Sequence, residues 1–306
     1  VDAKKADIDN LVSGYGSLQT AISAVRDSIA KLADATQLNA TSATSSQTSA
    51  VSITADSTAQ IGSYSLSVSQ LAQPQSLISG NFSATTDVIG SGTLTIGVGT
   101  PTYNASPNET TYASFNQSSS VSITIAANST LADVRDAINA ANAGVNASIL
   151  QDGTNYKLMI NGENSGLSNG LSLTVSGDSS GTDTDTSGLS QLAFDANTAN
   201  LTQTVAPQDA LLSLNGLSVT SASNTITNVL DGVSLTLLST TPSSATVSVS
   251  RDTAAITGLV DAFVSAYNTY LGSQKSLTKY DATTGDAGFL QGDAMTRTMV
   301  SQIRAL

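Results

Sequence analysis

Three aspartates in one short loop, Asp178, Asp183 and Asp185, are the side chains whose type and spacing could do chemistry. Paired carboxylates hydrolyse glycosides, and clustered ones bind calcium. The surrounding run, GDSSGTDTDTSG over residues 177–188, lacks the ligand pattern of a calcium loop and is rich in Gly and Thr. It therefore reads as a flexible, solvated loop. Glu109 and Glu163, the only glutamates, read as loop residues. Gly90-Ser91-Gly92 and Gly97-Val98-Gly99 have the glycine spacing of phosphate-cradling loops, but no helix and no Lys follows, so they read as hairpin turns. The chain has no Cys and no His. That removes the thiol nucleophile, the imidazole base and the usual zinc site. No enzyme, no metal and no cofactor is expected.

Composition bounds what remains. At 306 residues the chain has room for two or three domains. Its hydrophobic content is 40%, yet it has no Trp and only five Phe. Ala, Val, Leu and Ile mixed with Ser, Thr, Gly and Asn suit short strands and turns. Between Ala33 and Ser250 only Arg135 and Lys157 oppose fourteen acidic residues, so the whole net charge of −12 lies in the middle of the chain. An anionic surface of this kind repels phosphate, so nucleic-acid partners are not expected. No apolar run is long enough to span a membrane, so no membrane insertion is expected, and no signal-peptide pattern opens the chain.

The ends and the middle carry different periods. Ile8, Leu11, Tyr15, Leu18, Ile22, Val25, Ile29 and Leu32 alternate spacings of three and four, the a/d seam of a coiled coil. Such a helix spans roughly 40 Å, with Gly14 and Gly16 as local weak points. Near the other end, Asp252 or Thr253 can cap a helix whose apolar face holds Ile256, Leu259, Phe263, Tyr267 and Tyr270, with Gly272 as its expected stop. Leu290, Met295, Met299, Ile303 and Leu306 mark a further helix, with Asp293 as its cap. Antiparallel packing of the two ends would bring residues near 40 and 252 together as a stalk.

In the middle, period-2 segments around Val51, Leu66, Leu94, Ile123, Ile149, Leu158, Leu173, Leu212, Val219, Leu235 and Val247 read as strands. Gly62-Ser63, Asp152-Gly153, Asn215-Gly216 and Asp231-Gly232 are turn signals. One helix interrupts: Ser129 to Asp133 reads as a capping box, and the helix ends near Asn142 or Gly144. The expected fold is multidomain α+β. A helical coiled-coil leg (1–45 and 252–306) carries two β-rich heads, one (81–204) inserted into the other (46–80 and 205–251).

These segments resemble one family. Residues 62–73, GSYSLSVSQLAQ, resemble a motif near the start of the bacterial flagellar filament cap proteins, the hook-associated protein two family. The helix STLADVRDAINA with Gly144-Val145 and Asp152-Gly153, the run Asp209 to Leu238, and Gly288 to Asp293 follow in that family's order. The resemblance implies a structural cap at the tip of the flagellar filament. It implies export without a cleaved signal through the flagellar export apparatus with its chaperone, and an extracellular homo-oligomeric ring. Flagellin and the filament tip would be its partners, and some members contact host mucin or cell surfaces. The other readings are a flagellin or hook–filament junction protein, and a secreted adhesin or carbohydrate-binding module.

Overall fold

The computed structural model describes residues 2–103 and 112–304; Glu109 and Leu306 lie outside them. The chain opens with helix α1 (Asp2–Ala33) and a single helical turn, α2 (Ala35–Leu38). Strands follow: β1 (Thr41–Ser45), β2 (Val51–Ala55), β3 (Gly62–Gln70), β4 (Ser76–Ile78), β5 (Val88–Thr102) and β6 (Ser114–Thr130). After helix α3 (Leu131–Ala140) come β7 (Val145–Asp152), β8 (Asn155–Gly162), β9 (Gly170–Ser176), β10 (Thr202–Val205), β11 (Ala210–Leu214) and β12 (Leu217–Ser221). Then β13 (Thr225–Leu230), β14 (Val233–Leu237) and β15 (Ala245–Arg251) lead into α4 (Thr253–Thr278) and α5 (Ala294–Arg304). The protein is thus mixed helix and sheet, in two compact units.

The helical unit comprises Val1–Ser42, Ala55–Ile61 and Val249–Leu306. Its helices begin where carboxylates satisfy free backbone N–H groups. Asp34 accepts from the Thr36 N–H at 2.9 Å, and Asp252 from the Ala255 N–H at 2.8 Å. The Asp252 N–H donates to the Ala40 carbonyl at 2.9 Å, so α4 sets off back along α1. Gly14 and Gly16 do not interrupt α1. Gly272 does not stop α4 either; the helix continues to Thr278. The glycine costs about 1 kcal/mol of propensity, and packing of Leu277 one turn further on outweighs it. Beyond α4 a short hairpin, in which Tyr280 bridges Ala287, folds back on the helix end. The Leu290 and Gly288 N–H groups donate to the carbonyls of Leu277 and Lys279, each at 2.8 Å, satisfying groups the helix leaves free. Gly288 lies so close to the Ser276 and Leu277 carbonyls that any Cβ there would overlap backbone.

The sheet unit comprises Ala43–Thr54 and Gly62–Ser248. Its sheets run β1-β15-β3-β11-β12, β13-β14-β2, β10-β4-β8-β7 and β6-β5-β9. Alternate residues are buried, as in Leu66 and Val68, Leu212 and Leu214, and Val233, Leu235 and Leu237, which is the period that half-buried strands demand. Three turns sit at their sequence signals. Gly153 (φ 65°) follows β7, Asn215-Gly216 (φ 49° and 85°) joins β11 to β12, and Asp231-Gly232 joins β13 to β14. At Asn215-Gly216 positive φ at both central residues matches the twist of the flanking strands. Gly62-Ser63 instead opens β3. The capping box sits on Thr130 rather than Ser129: Thr130 accepts from the Asp133 N–H while Asp133 accepts from the Thr130 N–H. The two glycine pairs expected as hairpin turns lie inside β5, at or beside its register shifts against β6. Gly99 is pressed against the Asn116 carbonyl, where a side chain has no room. One core, running from Leu77 to Leu201 with Leu94, Ile138, Ile160 and Phe194, fills the part of this unit from β4 to the start of β10.

Candidate functional site

The carboxylates of the 177–188 loop are occupied. Asp178 accepts from the N–H groups of Ser180 and Ser190, at 2.9 and 2.6 Å, and Asp183 accepts from the Asp178 N–H at 2.9 Å. Asp185 accepts from the Ser187 N–H at 2.9 Å, the Thr182 N–H at 2.8 Å and the hydroxyls of Ser187 and Ser190. These donors, the Ser187 N–H foremost, hold the Asp185 carboxyl well below the usual carboxylate range. The segment expected to be a flexible loop is therefore a set of carboxylate-organised turns leading into a 3₁₀ turn at Gly188–Leu192. Its carboxylates are engaged with local backbone N–H donors and hydroxyls. Glu163 is exposed in a turn after β8. Among the described residues no three His, Cys, Asp or Glu side chains gather to hold a metal ion, and no helix is long and apolar enough to cross a membrane.

The helices offer a surface instead. Leu18, Ala21 and Val25 of α1 pack with Tyr270 of α4 and with Leu290 into one buried cluster. Tyr15, Ile22, Phe263, Tyr267, Leu271, Leu277 and Val300 flank it, half-buried. Phe263 stacks near Tyr267 at 6.1 Å between ring centroids, and Tyr267 lies 6.2 Å from Tyr270. Leu32, Ile256 and Leu259 are half-buried outside this cluster, whereas Ile8, Leu11 and Ile29 are exposed. The buried part of the heptad stripe is thus its centre, completed by α5 and the hairpin as well as by α4.

A polar clasp joins α1 to the start of α5. The Tyr15 hydroxyl donates to both Asp293 oxygens, at 2.6 and 3.0 Å. The same carboxylate accepts from the Met295 and Thr296 N–H groups, each at 3.1 Å, and so caps α5. The Tyr15 bond, then the Thr296 N–H, hold the Asp293 carboxyl below its ordinary 3.8. The same bond raises the Tyr15 phenol above its ordinary 10.0, with burial adding to the effect. Because the folded carboxyl pKa is lowered, its contribution is present above the ordinary carboxylate pKa and is lost as pH falls through the folded value. Because the phenol pKa is raised, its contribution is full below the ordinary phenol pKa and is lost as pH rises through the folded value. The denaturant midpoint of the helical unit is therefore expected to be flat from about pH 5 to 9 and to fall on either side. In Asp293→Asn the acid limb should shrink, which circular dichroism at 222 nm checks.

Exposed apolar side chains crowd one end of this unit. Ile8, Val12, Tyr280, Phe289 and Met295 are each at least 55% exposed. Gly14 packs against Leu277 and Leu290, and Tyr15 bonds Asp293, which places the early residues of α1 beside the hairpin and the start of α5. Sequence periodicity marks Ile8 as seam, but no sequence signal identifies Tyr280 or Phe289 as part of the same surface.

Comparison with known proteins identifies the family of the chain. Residues 1–75 match the model for the flagellar hook-associated protein 2 N-terminus, residues 207–306 the model for its C-terminus, and residues 93–164 the flagellin hook IN motif. Flagellar hook-associated protein 2 of Escherichia coli K12 is 33% identical over 96% of this chain and 61% of its own length. The B-type protein of Pseudomonas aeruginosa is 31% identical, with the same 96% and 61% coverage. The chain thus spans about three fifths of the length of these relatives. Among solved structures, the D1-D2-D3 domains of the Escherichia coli flagellar cap protein FliD align with a TM-score of 0.77 at 32% identity, covering 96% of this chain and 76% of that one. FliD (HAP2) from Pseudomonas aeruginosa PAO1 aligns with a TM-score of 0.59 at 29% identity. With both ends matched by its models and a solved member aligned along almost all of the described fold, the chain belongs to the flagellar hook-associated protein 2 family.

Proposed function

We propose that this protein works as a structural cap at the tip of the bacterial flagellar filament, where copies assemble into a ring and assist the folding and insertion of exported flagellin. The observation that carries the proposal is the similarity along 96% of the chain to a protein described as a flagellar cap. In this reading the paired ends, 1–45 and 252–306, are a coiled-coil leg. The sheet-rich middle is two heads, with 81–204 inserted into 46–80 and 205–251. Supporting the insertion, one continuous core is drawn from residues of 81–204 together with Leu77 of β4 at its entrance. The strands β4 and β10, which pair with each other, carry the chain into and out of it, and β4 pairs on its other side with β8. Flagellin and the filament tip are the partners, after export unfolded through the flagellar apparatus with its chaperone. The site of action is extracellular, and the work is contact, not catalysis.

The exposed end of the helical unit is the surface we assign to flagellin. Changing Val12 and Phe289 to Ser should leave the unfolding free energy within about 0.5 kcal/mol, since both side chains are exposed. The same change should abolish swimming when it replaces the wild-type gene. Normal swimming would remove these residues from the proposal. The role itself is tested by gene deletion: filaments should be lost while flagellin accumulates in the medium. Normal filaments on a deletion strain would refute it.

A further inference from the structure

The strand β6 forms an outer edge of its sheet, paired to β5 alone. From Ile125 to Ser119 the β5–β6 register is regular, opposite Gly92 to Val98, without a bulge to twist the edge away. Among the described residues nothing pairs with the main chain on the other side of this stretch. Exposed edges are ordinarily blunted by Lys, by Pro or by an inward charge, because an unpaired row of N–H and C=O groups is a template for another chain. From Ser114 to Thr130 there is no charged residue and no Pro. The side chains Ser119, Ser120 and Ser122 of this regular stretch are small and exposed, so a second backbone can approach to strand distance.

We propose that the β6 edge is a docking surface for a second copy of this chain, joined edge to edge as antiparallel strands. The chain carries a net charge of −12, which opposes self-association in general. Over Ser114–Thr130 the two strands brought together carry no carboxylate of their own. The occupant must offer an uncharged, unpaired, extended stretch of equal length, and the same edge of another copy does so. Antiparallel pairing of one edge with itself is two-fold and self-complementary. The contact therefore joins copies in pairs and is separate from any head-to-tail contact that closes a ring. It does not depend on the cap role.

The absence of cysteine makes the test clean. Single variants Ser118→Cys, Ser119→Cys, Ser120→Cys, Val121→Cys and Ser122→Cys, made in the full chain, are oxidised and run on non-reducing gels. A two-fold strand pair predicts linked dimer concentrated at the one or two positions nearest the symmetry centre, falling on both sides. In sedimentation, S120K should weaken self-association by roughly tenfold, since like charges would face each other across the pair. Its thermal unfolding should be unchanged, because Ser120 is exposed. S122K, at an exposed position of the same regular stretch, provides a second variant of the same kind. No linked dimer at any of the five positions, equal linking at all of them, or unchanged self-association in both Lys variants would overturn the proposal.

Discussion

Tyr270→Ala is expected to destabilise the helical unit by about 3–5 kcal/mol, the cost of emptying a large aromatic site in a packed core. The side chain is fully buried, with Leu18, Val25 and Leu290 in its cluster. That cluster is small: five buried residues with a half-buried rim. A long helix pair with so narrow an apolar stripe has few other sources of stability. The loss should therefore appear as an early transition in helical ellipticity under urea. Tyr267→Ala, at the half-buried rim, should cost clearly less. Equal effects from the two would mean that the stripe is not organised around Tyr270.

Gln75→Leu is expected to cost the sheet unit about 2–4 kcal/mol, through polar groups left unpaired in its interior. Gln75 is fully buried, and its side chain does three things. Its Oε1 accepts the Leu171 N–H at 2.5 Å, and its Nε2 donates to the Tyr112 hydroxyl oxygen at 2.5 Å and to Gln203 Oε1 at 2.7 Å. The Tyr112 hydroxyl in turn donates to the Leu171 carbonyl at 2.8 Å. Burial pushes the Tyr112 phenol far above its ordinary range, so it stays a neutral donor at any working pH. Around it the Tyr103, Phe115 and Phe194 rings lie 5.1–5.5 Å away between centroids. Leucine fills much of the volume of glutamine but leaves the Leu171 N–H without an acceptor. Tyr112→Phe, which leaves that bond intact, should cost less. A Gln75→Leu protein as stable as wild type would show that the network is dispensable.

What could be read from the residues alone followed from local physics. Asp252 and Asp293 are legible as caps because a carboxylate before an apolar helix satisfies free N–H groups in place. Asn215-Gly216 and Asp231-Gly232 are legible because few residues tolerate positive φ. Gly272 and Gly62-Ser63 misled for the converse reason: tertiary packing of Leu277, and the place of β3 beside β15, where Ser63 meets Ser248, decided positions where propensity is weak. The β5–β6 ribbon was legible only around Leu94 and Ile123, since its Ser, Gly and Asn ends carry no alternation. The Gln75 network was invisible, because a buried glutamine 37 residues from its tyrosine leaves no pattern in a chain rich in polar residues. The same holds for the 177–188 loop. Its aspartates looked free in sequence, and only the fold shows each of them turned onto backbone.

The central claim is that the two ends of this chain are one folded helical body. Hydrogen–deuterium exchange on the intact chain tests it most directly. Amides of residues 15–29 and 263–277 should be protected together and should lose protection together in Tyr270→Ala, while residues 131–160 keep theirs. Rapid exchange of residues 15–29 beside a fully protected 263–277 in the wild type would contradict it.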